Sequence, residues 1–370
     1  MLENKTGKEK TIYERENIQK MAGYTPGEQP TTSDVIKLNT NENPYPPTQA
    51  VMEALHSIGP EMLRRYPSPT AHEFRAAAAQ IHGLEPENVI AVNGGDELLR
   101  LVITTFVDPC RPVGVAEPSY SLYPVLAAIH DCPVVRVPLQ DDWSIPHDFG
   151  HRMNQAGVKL AILVNPHAPS GRLTSVEQLG AIAEELSGVL LIDEAYVDFV
   201  APELGHDAVK LVRKYPNVLI LRSMSKGYSL AGLRFGYGLG AKSLIEPMLA
   251  KTKDSYNVDA VAQRLAVAAV KSRDEAAKTW QAVRSERKRM IERLRELDLT
   301  CPLSQSNFIL ARVPEELGGG ARAIYEALKA RGILVRYFDQ DRLRDKLRIS
   351  IGKPEENDSL LAALQEMAAA

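Results

Sequence analysis

The chain has 370 residues, a formal net charge of −3 and a sequence pI near 6.3, with 44% hydrophobic and 25% charged residues. That length suggests two or three units and a core large enough to need no disulfide staples, while the near-neutral balance argues against the basic face that nucleic acid or an anionic membrane would require. No run approaches the ~18 apolar residues of a membrane helix, the charged start MLENKTGKEK lacks the apolar centre of a signal peptide, and three scattered cysteines without CxxC or metal-ligand spacing point to a reducing, cytoplasmic setting.

Residues 1–23 read as an irregular arm or an exposed helix. YTPGEQP and NENPYPP follow as loops, because proline lacks an N–H and resists helix. A helical stretch from Pro69 to His82 leads into the apolar run NVIAVNGG, and DELLRLVITTF continues as a helix. The short runs PVGVAEP, PVVRVPL, KLAILVNP, GVLLIDEAYVDF and NVLILRSMSK then alternate with helical patterns. They are rich in Val, Ile and Leu and do not alternate with polar residues, the pattern of strands buried on both faces. The predicted architecture is therefore α/β, a mainly parallel sheet between helical layers.

Beyond residue 258 one long helix is predicted to about Leu297. Its stretch RSERKRMIERLR mixes glutamates with basic residues at helical spacing, as a solvated helix face does. SNFILARV, ILVRYF and KLRISIG read as strands, with a helix around Arg322 to Arg331 and a last one in PEENDSLLAALQEMAAA. The expected division is an N-terminal arm contributing to a small domain (1–44), a large domain (45–257) and a small C-terminal α/β domain (258–370).

Ligands of open parallel sheets bind at the carboxyl ends of the strands, and the polar signatures fall there. NGGDE is either a phosphate cup at a helix N-terminus or a tight turn capped by its Asp. The Asp of DEAY at a strand end is a metal ligand, a catalytic acid or a cap. SMSKGYSLAGLRFGYG is sharper: Lys226 sits between hydroxyl residues, ahead of Arg234. Hydroxyls and a guanidinium suit phosphate, and a lysine beside them can form a Schiff base with an aldehyde-bearing phosphate cofactor.

This stretch resembles the lysine motif of fold-type I pyridoxal-phosphate aminotransferases, and more narrowly that of the histidinol-phosphate aminotransferases. LNTNENPYPP, RYPSP, NGGDE, EPSYSLY, NPHAPSG, DEAYVDF, SYNVD, SNFIL and LRISIGKPEEND extend the similarity, in order, over nearly the whole chain. The resemblance implies pyridoxal 5′-phosphate bound covalently to Lys226, with Asp193 at the pyridine nitrogen, Tyr196 on the ring 3′-oxygen and Tyr120 stacked on the ring. It assigns the cofactor phosphate to Gly95, Asp96 and Glu97 through their N–H groups, to Ser223 and Ser225, and to Arg234. Tyr66 would reach the cofactor phosphate of a neighbouring subunit, which implies a homodimer with shared sites. Arg348, Arg336 and Tyr24 would hold substrate, Tyr24 from across the dimer.

The implied reaction is ping-pong transamination between L-histidinol phosphate and 2-oxoglutarate, giving imidazole acetol phosphate and L-glutamate. The resemblance leaves room for an aromatic amino-acid aminotransferase, or a decarboxylase of phosphorylated amino acids. A regulator that kept the fold without catalysis would have lost the lysine first. One motif departs from the family: where it has an Asn donating to the 3′-oxygen, NPHAPSG places Ala168. Asn165 and His167 are the nearby substitutes, or Tyr196 acts alone, in which case the pKa of the lysine–cofactor linkage should rise.

Overall fold

The computed structural model describes residues 13–30 and 34–368. Its strands are β1 (Ile36–Lys37), β2 (Val89–Val92), β3 (Val113–Glu117), β4 (Val134–Pro138), β5 (Leu160–Val164), β6 (Val189–Asp193), β7 (Val218–Ser223), β8 (Gly236–Gly240), β9 (Phe308–Arg312), β10 (Ile333–Leu334), β11 (Arg336–Tyr337) and β12 (Lys346–Ser350). Seven of them form one sheet in the order β2-β8-β7-β6-β5-β3-β4. β3 to β7 run parallel. β8 enters antiparallel to both β2 and β7.

The unbroken apolar runs behave as expected: every residue of β2, β5 and β8 is buried. β8 is the strand that composition concealed, because GYGLG carries little β-branched character. Its glycines are demanded by packing. A Cβ on Gly238 would lie 2.9 Å from Ile90 Cγ2 and 3.0 Å from Leu98 Cδ2, so the helix Gly95–Phe106 rests directly on β8.

The C-terminal part builds a three-stranded antiparallel sheet, β11-β12-β9. The N-terminal segment joins it by pairing β1 with β10 in parallel. ILVRYF, expected as one strand, is divided between these two sheets around Val335. The single helix expected over 258–297 is two, Ala260–Lys271 and Arg273–Arg295. They part at Ser272, whose hydroxyl bonds back to Ala268 O at 2.8 Å and meets Thr48 Oγ1 at 2.8 Å. Arg287, read as part of a solvated face, is instead buried, donating to Phe199 O and Ser306 O. The helix expected from Pro69 begins at His72. In the N-terminal arm the described part forms the short helix Glu16–Lys20; residues 1–12 lie outside the described residues.

Candidate active site

A cavity of about 530 Å³ opens where the parallel strands end and the C-terminal strands face them. Lys226, just past β7, points into it and donates from Nζ to Thr40 O at 2.9 Å. Burial, reinforced by the neighbouring Arg348 guanidinium, pulls its pKa from the ordinary lysine range down to about 8. About a tenth of this amine is therefore neutral, and nucleophilic, at pH 7, against well under a hundredth for an ordinary lysine.

Asp193 terminates β6 on the cavity wall. Burial raises its pKa to about 6, against the opposing hydrogen bond from Tyr123 Oη at 2.7 Å. Its Oδ1 also accepts from Ala195 N at 3.1 Å. A buried carboxylate of this kind is completed by a cation placed against it. Of the readings open for DEAY, the cavity favours a carboxylate aimed at ligand.

At one end of the cavity the helix Gly95–Phe106 begins, with Gly95 and Asp96 on the wall. The first N–H groups of a helix lack intrahelical partners. Gly94, not Asp96, is the N-cap residue. Ser223 and Ser225 line the same end, and Arg234 Nη1 donates to Ser225 Oγ at 3.2 Å. Gly94 has φ +76 and ψ 164, and a Cβ there would sit 2.6 Å from Arg234 Nη2, so only glycine lets the guanidinium lie over the turn. Glu97 contributes no wall: its carboxylate turns back to Asn93 N and Asn257 Nδ2. Helix N–H groups, two hydroxyls and a guanidinium converge as an anion cup.

Tyr120 and Tyr196 line the middle of the cavity. Tyr120 packs edge-on against Tyr123 with centroids 5.4 Å apart, and Tyr196 against Phe308 at 5.0 Å. Arg336 and Arg348 stand opposite each other on β11 and β12 at the far end. Both guanidiniums lie over the Phe338 ring. Arg348 donates from Nη2 to Asn39 O, and its buried Nε has no partner among the described residues.

Tyr24 lines the cavity of its own chain, 5.7 Å from Tyr120. The arm is held over this chain by Arg15 to Ile129 O and Asn17 to Ala128 O. The substitutes considered for Ala168 are engaged elsewhere. Asn165 exchanges both its amide groups with the backbone of Thr174. His167 is held between Ser170 Oγ and Pro118 O, and burial drives its pKa to about 4. Ala168 itself lies on the cavity wall. Tyr66 is absent from the cavity: it is 82% exposed and stacked on Tyr256.

Sequence reasoning missed two contributors. Tyr123 stands one helical turn beyond Tyr120 in the same EPSYSLY stretch, and that spacing was the available signal. The other is LNTNE, read only as loop and family marker. Three consecutive residues there each hold a candidate functional group: Asn39 O takes Arg348, Thr40 O takes Lys226, and Asn41 Nδ2 donates to Tyr196 Oη at 3.1 Å.

Residues 33–364 match the family model for aminotransferase class I and II. The chain belongs to this family. It is thus a transferase with a fold-type I architecture. It is 41% identical over 358 residues to histidinol-phosphate aminotransferase 1 of Trichormus variabilis, covering 96% of this chain and 99% of that one. The histidinol-phosphate aminotransferase of Microcystis aeruginosa is 41% identical over 95% of this chain and 98% of its own. Among solved structures, the histidinol-phosphate aminotransferase of Sinorhizobium meliloti in complex with pyridoxal-5′-phosphate superposes with a TM-score of 0.83 at 26% identity, over 90% of each chain.

Proposed function

We propose that this aminotransferase uses pyridoxal 5′-phosphate to exchange an amino group between L-histidinol phosphate and 2-oxoglutarate, a step of histidine biosynthesis. The cavity fits the cofactor at each end of its chemistry. The cup of Gly95, Asp96 and Glu97 N–H groups, Ser223, Ser225 and Arg234 suits the phosphate. Asp193 suits a ring nitrogen that carries a proton, and Lys226 an aldehyde.

Bound there, the cofactor supplies an electron sink that acidifies the substrate's α-carbon. The protein does the rest. Lys226 would hold the cofactor and would carry the proton at the substrate's α-carbon as general base and acid. Asp193 would stabilise a positive ring nitrogen from a site where desolvation makes the interaction strong. Tyr120 would cover the ring, and Tyr196 would donate to its 3′-oxygen.

The observation that carries the substrate reading is the Arg336–Arg348 pair. Two guanidiniums held side by side at the open end of the cavity, supported by ring faces, suit a dianionic phosphate and equally accept a dicarboxylate's distal group. Tyr24, on the same wall, adds a hydroxyl. The aromatic lining from Tyr24, Tyr120 and Phe338 also favours a planar substrate ring, which keeps an aromatic amino-acid aminotransferase as the second reading.

Mixing the purified holoenzyme with either donor separates them. Loss of the cofactor's visible band at far lower concentration of L-histidinol phosphate than of L-phenylalanine supports the first reading; the reverse order replaces it with the second. The exposed Tyr66 and its stacked neighbour Tyr256 support a homodimer in which Tyr66 serves the partner's phosphate cup. No helix among the described residues is long and apolar enough to cross a membrane. The free cysteines Cys110, Cys132 and Cys301 accord with a cytoplasmic enzyme.

A further inference from the structure

Asn41 occupies a left-handed backbone conformation, φ 56, and is clamped from the C-terminal sheet. Asn307 Nδ2 donates to its carbonyl at 2.9 Å. Its own N–H donates to Ser350 Oγ at 2.9 Å. The Ser350 hydroxyl must then place its proton on an acceptor, and Asn41 Oδ1 lies 3.1 Å away. That bond fixes which way the side-chain amide points: its oxygen faces Ser350 and its NH2 faces Tyr196 Oη. A phenol oxygen that accepts from an amide keeps its own O–H for another acceptor. Tyr196 lines the cavity, as do Asp193, Ala195 and Ala168, and Ala168 offers only a methyl group.

We infer that Asn41 is a positioning residue: locked by Ser350, it commits the Tyr196 proton to the cofactor's 3′-oxygen, so that one oriented tyrosine does the work in a cavity where residue 168 cannot donate. The inference rests on the cofactor reading above. The relay Ser350–Asn41–Tyr196 starts two residues beyond Arg348 on β12, so the strand that grips the substrate also sets the hydrogen bond to the cofactor. An O–H donated to the ring oxygen lowers its electron density and favours loss of the proton from the lysine-bound chromophore.

The test is a pH titration of the visible absorbance of the holoenzyme for wild type, Asn41→Gly, Tyr196→Phe and the double variant. Glycine is chosen because it tolerates the positive φ while removing the side chain. The midpoint pH is expected to rise by about one unit for Tyr196→Phe, a ten-fold fall in proton concentration, and by about half a unit, a three-fold fall, for Asn41→Gly. The double variant is expected to match Tyr196→Phe alone. Equal midpoints for wild type and Asn41→Gly overturn the inference, as does a shift from Asn41→Gly that persists in the Tyr196→Phe background. If Asn41→Gly does not fold, Ser350→Ala, which frees the amide to turn, carries the same comparison. Failure of the cofactor reading looks different: wild type then shows no visible band with pyridoxal phosphate, or Lys226→Ala retains it.

Discussion

At the scale of single residues, the site is governed by what burial does to two titrating groups. Lys226 is held well below the ordinary lysine range because desolvation and Arg348 both oppose its charge, bringing it to about 8. The apoenzyme is therefore expected to capture pyridoxal phosphate faster as pH rises and to level off above about 8, whereas an ordinary lysine would keep gaining until beyond 10. Stopped-flow absorbance from pH 6 to 10 reads this directly, and a rate still climbing at pH 10 contradicts it. Asp193 is the opposite case, a carboxylate raised to about 6 by burial and restrained by Tyr123. Removing that hydroxyl in Tyr123→Phe should raise Asp193 further. Because Asp193 must be the anion to pair with a protonated ring nitrogen, capture of pyridoxal phosphate by the apoenzyme is expected to weaken as pH falls through this pKa, and in Tyr123→Phe the acid limb of that binding is expected to move to higher pH. An unmoved limb would show that Tyr123 packs without tuning.

Among the elements, the turn between β2 and the helix Gly95–Phe106 has the tightest geometry. Gly94 sits at a φ and ψ that only glycine adopts freely, with Arg234 immediately above. Gly94→Ala is expected to cost about 1–3 kcal/mol of stability from backbone strain. It should also weaken cofactor binding by displacing Arg234, so melting temperature and pyridoxal phosphate Kd are expected to worsen together. A variant with unchanged Kd would separate Arg234 from the phosphate. A second contact ties the helix Arg273–Arg295 to the lysine loop: Trp280 Nε1 donates to Gly227 O at 2.6 Å. Trp280→Phe removes that bond together with part of a buried ring, and is expected to cost about 2–3 kcal/mol in thermal unfolding.

For the whole molecule, the question is what completes the cavity. Tyr66 stands outside its own cavity and exposed, beside Tyr256. Sedimentation is expected to give twice the 40.8 kDa chain mass. Tyr66→Ala should leave that mass unchanged while weakening pyridoxal phosphate about ten-fold, the loss of one charge-assisted hydrogen bond to phosphate. A monomeric wild type would remove the shared-site reading and leave each cavity self-contained.

By itself the sequence determined β2 to β7, most of which are buried on both faces and so leave an apolar run that local reading detects, but not β8. It also placed Lys226, Asp193, Ser223, Ser225 and Arg234 near one another, since residues at the carboxyl ends of parallel strands must share an edge. Tertiary structure alone decided what lies between distant stretches. β8 is glycine-rich because a helix lies on it, which no window of its own residues records. Arg287 is buried although its helix reads as polar, because carbonyls from residues 199 and 306 receive it. Asn39, Thr40 and Asn41 hold Arg348, Lys226 and Tyr196 from more than 150 residues away, the closest pair being separated by 155 positions. Such hydrogen bonds between polar side chains and backbone leave no periodicity in a sequence, so they become visible only once the chain is folded.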